Sequence, residues 1–90
     1  MDVYYSLVSA VSKYDRVAGK YDNDDKFTTI AEFDSYQEAY TRLIKEAANF
    51  LNAHADSVVG IMKENAIGIC YDQDKPVRKT QYFMMTERKR

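Results

Sequence analysis

The most informative stretch of this 90-residue chain reads DSYQEAYTRLIKEAANFLNAH and occupies residues 34–54. It opens with Ser35 and Glu38 at the spacing of a capping box, in which each side chain bonds the backbone amide of the other residue. Apolar or aromatic side chains then recur every three or four residues, at Tyr36, Tyr40, Leu43, Ala47, Phe50 and His54. This pattern predicts one amphipathic helix of about five turns with a single face on a core.

Alternating apolar and polar residues on both sides of the helix predict strands. Before the helix we expect strands at residues 3–11 and 27–33, separated by a turn at 19–26. Residues 13–18 fit either a longer first strand or part of a loop. After the helix the expected strands are residues 57–63, 67–71 and 77–86, with turns at 64–65 and 72–76 between them.

The predicted element order is therefore β-β-α-β-β-β, and most neighbouring strands are joined by connections of hairpin length. Such connections favour an antiparallel sheet. One helix on one face of that sheet gives a two-layer α+β fold, and residues 1–90 form a single domain whose basic end, about 87–90, is expected to be frayed. The expected core comprises Val3, Tyr5, Leu7, Phe33, Tyr40, Leu43, Ala47, Phe50, Val59, Ile61, Ile67 and Ile69.

Composition narrows the class of protein further. The chain has 46% apolar and 30% charged residues and a net charge of −1. Disordered chains are poorer in apolar residues or carry a larger net charge, so we expect an ordered protein. A single cysteine excludes a fold held by internal disulfides. No stretch approaches the ~20 apolar residues of a membrane span, and the first residues lack the features of a secretory signal. We expect a cytoplasmic protein without a membrane partner.

Reactive and ligand-binding side chains are sparse. The lone His54 and the lone Cys70 do not supply the three or four ligands of a zinc site or a recognisable catalytic group. A calcium loop starting at Asp22 needs glycine and glutamate where the chain has Phe27 and Phe33. No glycine-rich phosphate motif occurs. The sequence thus predicts no catalytic residue, no cofactor and no metal, and a small enzyme is the least favoured class.

Tyrosine usage favours protein binding instead. The chain contains eight tyrosines, more rings than a core of this size can bury, and exposed tyrosine is common at interfaces. Residues 82–85 add four consecutive apolar side chains, of which an exposed sheet would direct two away from the core. The alternative is a strand covered on both faces, in which residues 13–26 supply the second cover. The partner-binding candidates are Tyr82, Phe83, Met84, Met85, Arg78, Lys79, Tyr21 and Asp24.

The sequence favours a small non-catalytic module that binds one larger protein stoichiometrically, as an adaptor or an inhibitor of the kind that mobile elements encode. A homodimer is a further option, because an unpaired sheet edge is a template for strand addition.

Nucleic-acid binding is the alternative function. Residues 1–74 contain 7 Lys or Arg against 13 Asp or Glu, whereas residues 75–90 contain 6 Lys or Arg and one Glu. The basic end could neutralise phosphates. The acidic remainder of the chain would repel the same polyanion, so this function is less favoured.

Overall fold

The computed structural model describes residues 2–23 and 27–90. Six antiparallel strands form one sheet and a single helix packs on one of its faces, which confirms the predicted two-layer α+β class. The elements in chain order are β1 (Val3–Asp15), β2 (Lys20–Asn23), β3 (Thr28–Phe33), α1 (Tyr36–Ala53), β4 (Val58–Lys63), β5 (Ala66–Tyr71) and β6 (Val77–Lys89). Within the described residues, no helix has the length and apolar character needed to cross a membrane.

The helix begins where its sequence predicts, and its end, which the sequence did not specify, lies at Ala53. The Glu38 amide donates a hydrogen bond to Ser35 Oγ at 3.1 Å, which caps the first turn. At the other end, the His54 amide donates to the Phe50 carbonyl. Ala39, Leu43 and Ala47 are the buried residues of α1. The helix contacts β1, β3, β5 and β6 through that face, so it covers the middle of the sheet.

The pairing of β1 with β6 forms the centre of the sheet. The two strands are antiparallel along their whole length, from Val3 opposite Lys89 to Asp15 opposite Val77. β5 lies beyond β6, and β4 lies beyond β5. On the other side of β1, β3 pairs with its first half and β2 with its last residues. The sheet therefore has β4 at one edge, and β2 with β3 at the other.

The predicted element order is wrong in one respect, because three strands precede the helix instead of two. The first strand continues to Asp15, a turn lies at residues 16–19, and residues 20–23 of the predicted turn form β2. Residues 24–26 of that predicted turn lie outside the described residues. The Asp15 carboxylate accepts hydrogen bonds from the amides of Val17 and Ala18, and Gly19 adopts a φ of 65°. This side-chain bonding and the positive φ make a tight turn, so β2 can return along β1.

The end of the chain is also more ordered than its composition predicts. Residues 87–89 belong to β6 and pair with β1, so they are not a frayed tail. The Arg90 side chain forms a 2.5 Å ion pair with Asp34 and lies 4.9 Å from the centre of the Tyr4 ring. A salt bridge and an aromatic ring thus hold the basic end against the sheet.

The core lies between α1 and the strands beneath it. Leu7, Leu43 and Ile69 are fully buried, and the cluster also contains Ala39, Ala47, Ile67, Phe83 and Met85. The core prediction is correct for Leu7, Leu43, Ala47, Ile67 and Ile69, while Tyr5, Phe33 and Phe50 pack against the cluster partly buried. Tyr40 and Val59 are exposed, because α1 turns the first away and does not cover β4.

Candidate functional site

Side chains of β6 alternate between two very different environments. Phe83 and Met85 are 6% and 4% exposed and lie in the core beneath α1. Tyr82 and Met84 alternate with them along the strand, lie on the opposite side of the sheet and are partly buried. We call the helix side the covered face and the other side the open face. Phe83 and Met85 were candidates for partner binding, and this assignment is corrected because the helix seals both side chains.

Tyr82 lies across Gly68, its neighbour on β5. A Cβ atom added to Gly68 would come within 3.0 Å of the Tyr82 ring and 3.2 Å of the Ile61 Cβ. A side chain at position 68 would therefore crowd the ring, which would have to shift by a few tenths of an ångström. The Tyr82 side chain is partly buried.

Met84 contributes to a shallow apolar depression at the middle of the open face. The depression has a volume of about 190 Å³ and is lined by Val8, Phe27, Met84, Thr86 and Arg88. Val8 forms a buried floor, whereas Phe27 is 60% exposed. Arg88 Nε donates a hydrogen bond to Ser6 Oγ at 3.2 Å, so this arginine is held at the rim.

A second depression of about 200 Å³ lies nearer the other end of β6. The rings of Tyr14 and Tyr21 are 4.7 Å apart, and the Arg78 guanidinium lies 4.9 Å from the centre of the Tyr14 ring. Cys70 and Thr80 also line this space. Tyr21 is 71% exposed, and Arg78 is exposed as well. The surviving candidates Tyr21, Arg78, Tyr82 and Met84 therefore all lie on the open face.

Arg78 and Lys79 are neighbours in the chain, yet they point to opposite faces. Lys79 Nζ forms a 3.3 Å ion pair with Asp72 and lies 5.8 Å from the Tyr71 ring centre on the covered face. Burial raises the pKa of Asp72, but hydrogen bonds and charges from Lys79 and Lys75 outweigh it and hold the pKa below its ordinary value. The remaining candidate, Asp24, lies outside the described residues.

The basic side chains of the last sixteen residues do not form one patch. Lys75 and Lys79 share Asp72, and Arg90 pairs with Asp34. The Asp34 carboxylate raises the pKa of Arg90. On the open face, Arg78 and Arg88 are ten residues apart along β6, or about 33 Å at 3.3 Å per residue. Among the described residues of β6, this spacing leaves no continuous track for a phosphate backbone.

The single histidine packs against aromatic neighbours. The His54 ring stacks on Phe50 at 4.0 Å between centroids, and its Nδ1 lies 3.0 Å from the Phe50 carbonyl oxygen. The Cys70 Sγ is 3.8 Å from Thr80 Oγ1. Across residues 2–23 and 27–90, no three His, Cys, Asp or Glu side chains converge in a way that could hold a metal ion.

Sequence reasoning did not identify the contributions of Val8, Phe27 and Tyr14 to the open face. The alternation of β1 already contained a signal, since Val8 and Tyr14 share the parity of the small residues Ala10 and Ser12. The contribution of Phe27 depends on the pairing of β3 with β1, which no local pattern encodes.

Comparison of the chain with protein-family models, with curated proteins and with solved structures finds no match. Any statement about its function therefore depends on the geometry described above.

Proposed function

We propose that this protein is a non-catalytic, cytoplasmic protein-binding module that occupies a surface of one larger partner through the open face. As an adaptor or an inhibitor, it would act by stoichiometric contact. The observation that carries this proposal is the division of residues 82–85 between the two faces. Phe83 and Met85 belong to the core, whereas Tyr82 and Met84 face away from the helix and are partly accessible.

The composition of the open face supports this proposal. Protein interfaces are enriched in tyrosine, methionine and arginine, and commonly have an apolar centre within a polar rim. Here Tyr82 and Met84 lie at the centre, and the exposed Arg78 and Arg88 lie towards the two ends. A complementary partner surface would present apolar groups at its centre and acidic groups on either side.

Affinity capture with matched variants tests this proposal. The tagged wild-type chain would be incubated with an extract of cells that contain the protein, beside the Tyr82→Ala/Met84→Ala variant. A Thr41→Ala/Lys45→Ala variant is the control, because both side chains lie on the exposed side of α1 and belong neither to the open face nor to the β4 edge. We expect a stoichiometric partner with the wild type and the control, and a loss of at least tenfold in the open-face variant. Equal capture by all three chains would contradict the proposal.

A single charge reversal sharpens the test. Arg78→Glu removes a guanidinium whose described contact is the Tyr14 ring, so the fold should tolerate it. The change should weaken partner capture, and it should do so more at low salt because charge interactions are screened as salt rises.

Nucleic-acid binding is tested with the same preparation. Anisotropy of a labelled duplex and a labelled single strand at ~50 and ~200 mM salt should show no tight binding. Tight binding that weakens steeply with salt would instead assign a nucleic-acid partner.

A further inference from the structure

The strand β4 forms an edge that differs from an ordinary solvent-facing strand. Val58, Val59 and Met62 are 51%, 42% and 69% exposed, and the one charged residue of the strand is Lys63 at its end. Exposed apolar edge strands favour pairing with another strand, and proteins usually protect them with charges or cover. Beyond its pairing with β5, β4 has no further strand beside it among the described residues.

The helix presents a second apolar strip towards the same edge. Leu43 points into the core. Successive residues of a helix are 100° apart, so Ile44 points to one flank of α1 and Arg42 points to the other. Tyr40 precedes Ile44 by one turn, and both are about 40% exposed, at 38% and 40%. Arg42 lines a depression together with Phe33 of β3, at the opposite edge of the sheet, so the flank that carries Tyr40 and Ile44 faces the β4 edge.

The strip and the strand together form one surface. Val59 and Met62 pair with Ile69 and Ile67, which are buried beneath α1, so their side chains emerge on the covered face beside the helix. We call Tyr40, Ile44, Val59 and Met62 the edge surface. It combines an unpaired strand backbone with an adjoining apolar corner, and the open face contributes nothing to it.

We propose that a second copy of this chain occupies the edge surface, with the two β4 strands paired antiparallel around a two-fold axis between Gly60 and Ile61. In that register Val59 of each copy lies opposite Met62 of the other, with all four side chains on the helix side. The two sheets become continuous, and the Tyr40 and Ile44 side chains of both helices meet above the joined strands. Such an isologous contact closes on itself, so it yields a dimer.

Charge placement favours an identical strand as the occupant. Asp56 lies in the turn before β4, Lys63 ends the strand, and Glu64 follows in the next turn. Antiparallel pairing of two copies brings Lys63 of each within diagonal reach of Asp56 of the other. An identical strand in parallel pairing would instead place like charges side by side.

The shape of β4 favours the same occupant. The pairing of β4 with β5 is irregular between Val59 and Ile61, where Gly60 is the extra residue. A regular strand from another protein would have no matching irregularity opposite Gly60. Two identical strands related by the proposed axis place their irregularities side by side at the centre of the contact.

Sedimentation velocity at about 1–100 μM tests the proposal. The wild type should approach the mass of a dimer as its concentration rises. Met62→Lys and Ile44→Lys each place a charge in the contact, and each should raise the dimer dissociation constant at least 100-fold. Both positions are exposed, so circular dichroism should report an unchanged fold.

Exchanging the charges of Asp56 and Lys63 separates a loss of dimerisation from a loss of folding. Asp56→Lys and Lys63→Asp should each raise the dimer dissociation constant several-fold, while the double variant should restore it. The open-face variant Tyr82→Ala/Met84→Ala should dimerise like the wild type, which separates this proposal from the partner-binding one. A wild type that stays monomeric at 100 μM would overturn the proposal. So would a dimer unaffected by the Met62 and Ile44 variants.

Discussion

The covered and open faces of the same sheet use similar side chains for different purposes. Phe83 and Met85 alternate with Tyr82 and Met84 along one strand, and only the position of the helix distinguishes the two pairs. On the covered face, large apolar groups interlock with Leu43 and Ala47 of α1. The open face has small residues as its floor, with rings and arginines standing around them. The side chains of β6 are similar on both faces. The position of the helix therefore decides whether an apolar side chain stabilises the fold or remains available to a partner.

The two adjacent methionines give the strongest contrast. Met85→Ala should lower the free energy of unfolding by about 2–5 kcal/mol, since a buried methionine leaves a cavity. Met84→Ala should cost less, about 1–2 kcal/mol, because its side chain is only partly buried and no helix covers it. Urea denaturation of both variants measures the difference. Similar losses for the two would mean that the faces are not distinct.

Gly68→Ala should have the next largest effect, about 1–3 kcal/mol, because the new methyl group would overlap the Tyr82 ring and Ile61. The loss should shrink when Tyr82 is also changed to alanine, since part of the overlap disappears. A double-mutant cycle of Gly68→Ala and Tyr82→Ala, followed by denaturation, measures this coupling. Additive losses would show that the ring does not lie across Gly68.

The start of the helix should contribute about 1 kcal/mol. Ser35→Ala removes the acceptor of the Glu38 amide and weakens the element that covers one face. Thr41→Ala, on the exposed side of α1, is the control and should change stability by less than about 0.5 kcal/mol. Thermal denaturation distinguishes the two variants. Equal melting temperatures would show that the Ser35 cap does not stabilise the helix.

The smallest effect should be a pH dependence at Asp72. Its pKa is lowered by Lys79 and Lys75 despite partial burial, so its contribution to stability is present above the ordinary pKa of about 4 and lost as pH falls through the lower folded value. Asp72→Asn removes this contribution and still tolerates the φ of 53° at this position. Urea midpoints of the two chains should differ at pH 6 and converge near pH 2. A difference in urea midpoint that does not change with pH would show that the charge of Asp72 is not its source.

Much of the fold follows from local patterns. The capping box at Ser35 and the apolar spacing that follows it specify α1, and alternation specifies most strands. The extra strand β2 was not predicted, because Lys20–Asn23 is polar and its pairing with β1 depends on the turn that Asp15 closes. Local pattern also predicted Tyr40 as core, since rotation of the helix relative to the sheet decides which of two neighbouring apolar strips is buried.

The candidate site was predictable only in part. Alternation places Tyr82 and Met84 on one face and Phe83 and Met85 on the other, but it does not say which pair the helix covers. The pairing of Tyr14 with Tyr21 and Arg78 depends on strands that are remote in sequence. Long-range register of this kind requires the folded chain.

Photocrosslinking in cells that contain the protein tests the central claim most directly. One chain carries p-benzoylphenylalanine in place of Tyr82 on the open face, and another carries it in place of Lys45 on the exposed side of α1. After irradiation, we expect a discrete adduct of higher mass from position 82 and none from position 45. The absence of an adduct at position 82, or equal adducts at both positions, would contradict the claim that the open face binds a partner.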